Sequence, residues 1–94
     1  MSTKARIAIA WYKPEQWALL KAYSTDKEVI EDTFEEWAEH AEKQFEGMRK
    51  EGLKMHKVVI DIDALVAWCK ERDLPLNAEA RSQYASELLR DIHQ

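Results

Sequence analysis

Two aspartates, Asp61 and Asp63, come closest in type and spacing to a catalytic or metal-binding motif. They directly follow an apolar run, and paired carboxylates at the end of a strand can hold a divalent cation or share a proton. An acid–base enzyme would use them together with His56 and Tyr12 around a cleft. Aspartate is also a common helix cap, because its carboxylate accepts hydrogen bonds from the free amides of a first turn. We expect the capping role, since the flanking residues offer no further oxygen ligands.

The sequence has no other pattern of residues that is typical of a catalytic, cofactor-binding or metal-binding site. The single cysteine, Cys69, lies in an apolar helical pattern and leaves no intramolecular disulfide to form. With only two glycines, the chain has no phosphate-binding loop. The histidines lack the spacings that bring several ligands to one metal; they are His40, His56 and His93. We therefore predict no catalytic residue, cofactor or metal, and the lone thiol favours a cytoplasmic location.

Size and charge narrow the classes of protein further. The chain has 94 residues, which predicts a single domain over residues 1–94. Its formal charge is −4, and neither half is basic, so nucleic acid is a disfavoured partner. The apolar run Ile7–Tyr12 is far shorter than the roughly 20 residues of a membrane-spanning helix. We expect no membrane association.

Apolar periodicity predicts an α+β fold with the order β-α-α-β-α-α. Pro14 suits the first turn of the first helix. Thr25 or Asp26 can cap the second helix, Gly52 can end it, and Asn77 can cap the fourth helix. The predicted bounds are 6–12 and 54–60 for the strands, and 14–24, 27–50, 63–72 and 78–92 for the helices.

The order of the elements also predicts how the strands pair. Two successive helices between the strands would return the chain to the end where the first strand finished, which favours antiparallel pairing. This arrangement would place His56 beside Trp11 or Tyr12, and we expect these three residues to contact a partner. A two-stranded sheet is marginal on its own, so its exposed edge favours a homodimer. The four tryptophans suit core packing, with Trp11 the one expected to be partly exposed.

Two resemblances accompany these patterns. The segments IAIAWYKPEQWALL and VVIDIDALVAWCKERDLPLNAEAR resemble a group of small uncharacterised bacterial proteins, which implies a fold and a cytoplasmic location but no activity. The segment 54–91 is similar in order and length to ribbon-helix-helix regulators. That resemblance implies Lys54, His56 and Lys57 as readers of DNA bases and Asn77 as a cap near a phosphate. The turn lacks the glycine usual in that family, and the segment is not basic.

These observations leave three classes of function. The sequence favours a non-catalytic protein that acts through protein–protein interaction, with regulation as one such role. A DNA-binding regulator of the ribbon-helix-helix kind is the first alternative. A small acid–base enzyme that uses His56 with Asp61 and Asp63 is the second.

Overall fold

The computed structural model describes residues 6–92, and it has an α+β fold with four α-helices and one two-stranded sheet in that part of the chain. This confirms the predicted class and order of elements. Short 3-10 turns at Pro14–Gln16 and Lys27–Val29 precede the first two helices. The elements are β1 (Ile7–Trp11), α1 (Trp17–Tyr23), α2 (Phe34–Lys50), β2 (Met55–Val59), α3 (Ile62–Arg72) and α4 (Ala78–Ile92).

The two strands pair in parallel, so the predicted antiparallel pairing is wrong. Ile7 lies opposite Met55, and Trp11 lies opposite Val59. The N–H of Ile7 donates to the carbonyl of Lys54 at 2.9 Å, which fixes the register at the start of both strands.

The pairing is parallel because only one of the two intervening helices returns along the sheet. Helix α1 has only seven residues, and the turn before it lies at the carboxyl ends of the strands, where the Gln16 side chain accepts the backbone N–H of Ile62 at 2.7 Å. Helix α2 starts near Trp11, whose ring centroid lies 5.1 Å from that of Trp37, and it ends four residues before Lys54. A single crossover helix delivers the next strand in the same direction.

Helix α2 begins later than predicted. Thr33, rather than Thr25 or Asp26, is its N-cap: the Thr33 hydroxyl oxygen accepts the Glu36 N–H at 3.1 Å, and the hydroxyl donates to the Glu36 carboxylate at 3.1 Å. The Thr33 side chain thereby satisfies one of the free amides of the first turn locally. The predicted end is confirmed, since Gly52 has a φ of 88°, in the left-handed region that follows many helices.

The caps predicted for the last two helices are confirmed. The Asp61 carboxylate accepts the Asp63 N–H at 3.1 Å at the start of α3. The Asn77 side chain accepts the Ala80 N–H at 3.0 Å at the start of α4.

The core lies between the sheet and α4. Ala8 and Ala10 are the small side chains of β1 that face this helix, which lets α4 approach the strand closely. Val58 and Ile60 extend the same face from β2. The other buried residues that complete this core come from the helices and, for Leu76, from the connection between α3 and α4; they include Leu20, Ile62, Leu65, Leu76, Ala80, Ala85 and Leu89.

Six aromatic rings form a second packing centre at the carboxyl end of β1. Trp37 is its middle, with ring centroids 5.1 to 5.5 Å from four neighbours. Trp17 is buried, whereas Trp11 is half-buried, as its place at a strand end predicts. This aromatic cluster consists of Trp11, Tyr12, Trp17, Phe34, Trp37 and Phe45.

A polar network joins the segment after α1 to the start of α4. The Arg81 guanidinium donates to both carboxylate oxygens of Asp26 at 3.0 and 2.8 Å and to the Ser24 hydroxyl at 3.2 Å. Asp26 also accepts the N–H of Ala78 at 3.1 Å. These bonds occupy the Asp26 side chain, which the sequence assigned to the start of α2.

We predict that Asp26→Asn lowers the free energy of unfolding by about 2 kcal/mol, because a charge-assisted, partly buried pair is lost. Hydrogen bonds from Arg81 hold the pKa of Asp26 below its usual range. The unfolded carboxyl therefore takes up protons before the folded one. The stability that Asp26 contributes is complete above about pH 4 and declines as the pH falls through the lowered folded pKa.

Urea unfolding followed by tryptophan fluorescence measures both effects. The matched control is Asp32→Asn, which removes the exposed pair that Asp32 forms with Lys21 at 3.4 Å and should change stability little. A difference between wild type and Asp26→Asn that stays constant from pH 7 to about pH 3 would contradict the assignment.

Candidate functional site

The structure does not bring the predicted acid–base residues together. His56 lies opposite Ala8 in the sheet, and four residues of strand, about 13 Å, separate it from Ile60, the residue before Asp61. The Asp61 carboxylate already caps α3. Burial raises the pKa of Tyr12 to about 12, so its hydroxyl is protonated at neutral pH and is a poor base.

A polar crevice of about 320 Å³ lies at the carboxyl ends of the strands, lined by Lys13, Glu15, Gln16 and Asp61 among others. Such crevices are the usual ligand sites of parallel sheets. Between residues 6 and 92, however, no three side chains of the His, Cys, Asp and Glu types gather as ligands for a metal ion. His93 lies outside the described residues.

The three predicted interaction residues separate into two places. Trp11 and Tyr12 belong to the aromatic cluster at the carboxyl end of β1. His56 is not beside either of them, because the parallel register pairs it with Ala8 at the other end of the strand. That expected neighbourhood is wrong for the same reason as the antiparallel pairing.

Cys69 is buried, and this burial raises the pKa of its thiol. The thiolate is the nucleophilic form of cysteine, so this side chain is a poor nucleophile at neutral pH. Its position agrees with the expectation of a packed thiol on the apolar side of α3.

The backbone hydrogen bonds of the sheet show which groups of β1 face outward. Ile7 donates to β2, and Trp11 accepts from Ile60 at 2.9 Å, so alternate residues of β1 point their backbone groups at β2. The N–H and C=O groups of Ala8 and Ala10 therefore point away from β2. They form the free edge of β1.

The opposite edge of the sheet, along β2, carries a charge. Lys57 lies at the middle of β2, with its ammonium 4.3 Å from the ring centroid of Trp11 and 4.9 Å from that of Phe45. It also pairs with Glu42 at 2.8 Å. A lysine on an edge strand discourages pairing with another chain, because a further strand would crowd or desolvate the charge.

The free edge of β1 opens into a groove of about 450 Å³ and carries no charged side chain between Ile7 and Trp11. Helix α2, the segment Val29–Glu31 and the first turns of α4 form its walls. Its apolar lining includes Ile9, Leu20, Ile30 and Trp37, and its polar lining includes Glu31, Gln44, Arg81 and Ser82. We call this feature the β1 groove.

Sequence reasoning indicated an exposed strand edge but missed the residues that wall it. Arg81 and Asp26 are 55 positions apart, and no local pattern connects them. The predicted helix 27–50 includes Glu31, whereas Glu31 lies before the observed α2. The sequence from Thr33 to Glu36 has the Thr-x-x-Glu pattern of a helix start, and this pattern places Glu31 before the helix.

Comparisons with known proteins give no independent guide to this groove: no family model matches the chain, and no curated protein or solved structure matches it. The described part of the chain also has no helix that is both long and apolar enough to cross a bilayer.

We predict that Asp61→Ala lowers the free energy of unfolding by about 1 kcal/mol, whereas Asp61→Asn has a small effect, because asparagine caps a helix as well as aspartate does. Chemical denaturation of both variants measures the difference. An equal loss in the two variants would show that the negative charge of Asp61, rather than its capping bond, is what stabilises the fold.

Proposed function

We propose that this protein is a non-catalytic cytoplasmic interaction protein that takes up an extended segment of a partner as a third strand along β1. The observation that carries the proposal is the free edge of β1, which opens into the β1 groove. Regulation of the partner is the role that such binding would serve.

Strand addition uses the groups that this edge offers. The outward N–H and C=O groups of Ala8 and Ala10 can form main-chain hydrogen bonds with an added strand. The neighbouring cavity can receive its alternate side chains, which supplies the specificity that main-chain bonds lack. A third strand would also strengthen a sheet that has only two.

The geometry gives the two alternatives less support. In ribbon-helix-helix proteins the strand pairs with that of a second chain, whereas β2 here pairs with β1, and Lys57 is engaged by Glu42. The acid–base alternative would need His56 near Asp61, and the strand separates them. A homodimer stays a prediction.

We predict that Ala10→Pro weakens partner binding. The N–H of Ala10 points away from β2, so proline at this position removes a donor for the partner without removing a bond of the sheet. The partner carbonyl left without its donor costs about 1–3 kcal/mol, which is a loss of about 5- to 150-fold in affinity. Affinity capture from the native cells, quantified by mass spectrometry, measures the loss.

Val59→Pro is the matched control, because it makes the same change on the opposite edge of the sheet. Val59 is 52% exposed, and its N–H also points away from the paired strand. Circular dichroism melts establish that both variants fold. A partner captured equally by wild type and Ala10→Pro, or lost only with Val59→Pro, would refute binding at β1.

A further inference from the structure

We infer that the β1 groove takes a basic extended segment of another protein, in which lysine or arginine alternates with apolar residues. This inference rests on the proposed function and specifies the chemistry of the partner. It follows from the charge of the groove wall, the apolar lining of the groove and the symmetry of any self-association.

The part of the chain that leads into α2 beside the β1 groove is strongly acidic. Segment 26–36, which ends in the first turn of α2, carries six carboxylates and one lysine; Glu31 is the carboxylate among them that lines the groove, and Arg81, the basic residue of the lining, is paired with Asp26. The carboxylates are Asp26, Glu28, Glu31, Asp32, Glu35 and Glu36. A positively charged segment would be attracted to this wall and would gain both association rate and specificity from it.

Contacts within the chain compensate only part of this charge. Asp26 is paired with Arg81, and Asp32 with Lys21. Glu31 contacts His40 at 3.1 Å, a contact that is an ion pair only when the imidazole is protonated.

Glu28 and Glu35 are exposed and have no ion pair with another described residue. The wall therefore keeps a negative excess.

The apolar lining of the groove is the reason to expect apolar side chains in the bound segment as well. Side chains of a strand point alternately to opposite faces, so a segment along β1 cannot place every side chain on the acidic wall. Ile9, Ile30 and Trp37 offer apolar surface beside the edge. A segment that carries both apolar and basic side chains matches this lining, which holds apolar groups together with Glu31.

A second copy of this chain fits the groove poorly. A symmetric dimer places the same patch of both copies face to face, so two acidic walls would meet. Juxtaposed like charges cost several kcal/mol in an interface. The edge is also flanked by α2 and α4, and two edges recessed in this way cannot approach to hydrogen-bond distance as readily as a single slender segment can.

The test uses two short synthetic peptides, one alternating lysine with valine and one alternating glutamate with valine. We expect the lysine peptide to bind at least about tenfold more tightly at low salt, with the difference shrinking as salt screens the charges. Fluorescence anisotropy measures the affinity. Amide hydrogen exchange by NMR should show new protection at Ala8 and Ala10 when the lysine peptide is bound.

Matched variants locate the charge that matters. Glu31→Gln should weaken binding of the lysine peptide a few-fold, because Glu31 lines the groove. Glu46→Gln makes the same change in net charge on an exposed residue of α2 outside the groove and should have a smaller effect.

Three outcomes would overturn the inference. Equal or tighter binding of the glutamate peptide, with protection of Ala8 and Ala10, would refute the charge preference and leave strand addition at β1 standing. Binding of neither peptide would refute the inferred segment, while the comparison of Ala10→Pro with Val59→Pro would still decide the proposed function. Self-association in sedimentation, with protection of Ala8 and Ala10 in the absence of peptide, would identify a second copy as the occupant.

Discussion

The packing of Trp37 against the carboxyl end of β1 is the contact on which the architecture depends. It fixes the first half of α2 beside Trp11 and Tyr12, so that the helix can only run back towards the start of the sheet. Neighbouring rings in tilted and edge-on arrangements stabilise such a cluster beyond the apolar area that they bury. That gain must also outweigh the indole N–H of Trp17, which is buried without an acceptor among the described residues, at a cost of about 1–3 kcal/mol.

Once α2 is the helix between the two strands that returns along the sheet, the remaining features follow. Strand β2 must start beside Ile7 and run parallel to β1, and the segment before α2 must pass the outer side of β1 to reach Trp37. Arg81 holds the start of that segment through Asp26, which ties it to α4. The β1 groove is the space between the edge of β1 and the segment before α2. The pairing of Asp26 with Arg81 holds this segment near β1 at one end, and the packing of Trp37 holds it at the other.

The sequence predicts those parts of the structure that depend on residues close together in the chain. Asp61 and Asn77 cap their helices because a side-chain oxygen needs only an amide two or three residues ahead, and Gly52 ends a helix through its own backbone freedom. Strand direction instead depends on how far α1 extends along the sheet, which periodicity does not measure. The pairing of Asp26 with Arg81 depends on the tertiary fold, so both this contact and the groove walls lay beyond sequence reasoning.

The two edges of the sheet show two ways of limiting unwanted pairing. On β2, Lys57 places a charge within the edge strand, where it would obstruct any added strand. On β1 the charge lies instead on the neighbouring segment 26–36, and the strand itself stays uncharged. A charge outside the strand leaves the backbone groups of Ala8 and Ala10 usable, while it repels a second acidic copy and attracts a basic segment. A charge placed beside the edge of β1, rather than on the strand, therefore supports selective addition of a strand. The charge on β2 lies within the strand and opposes strand addition in general.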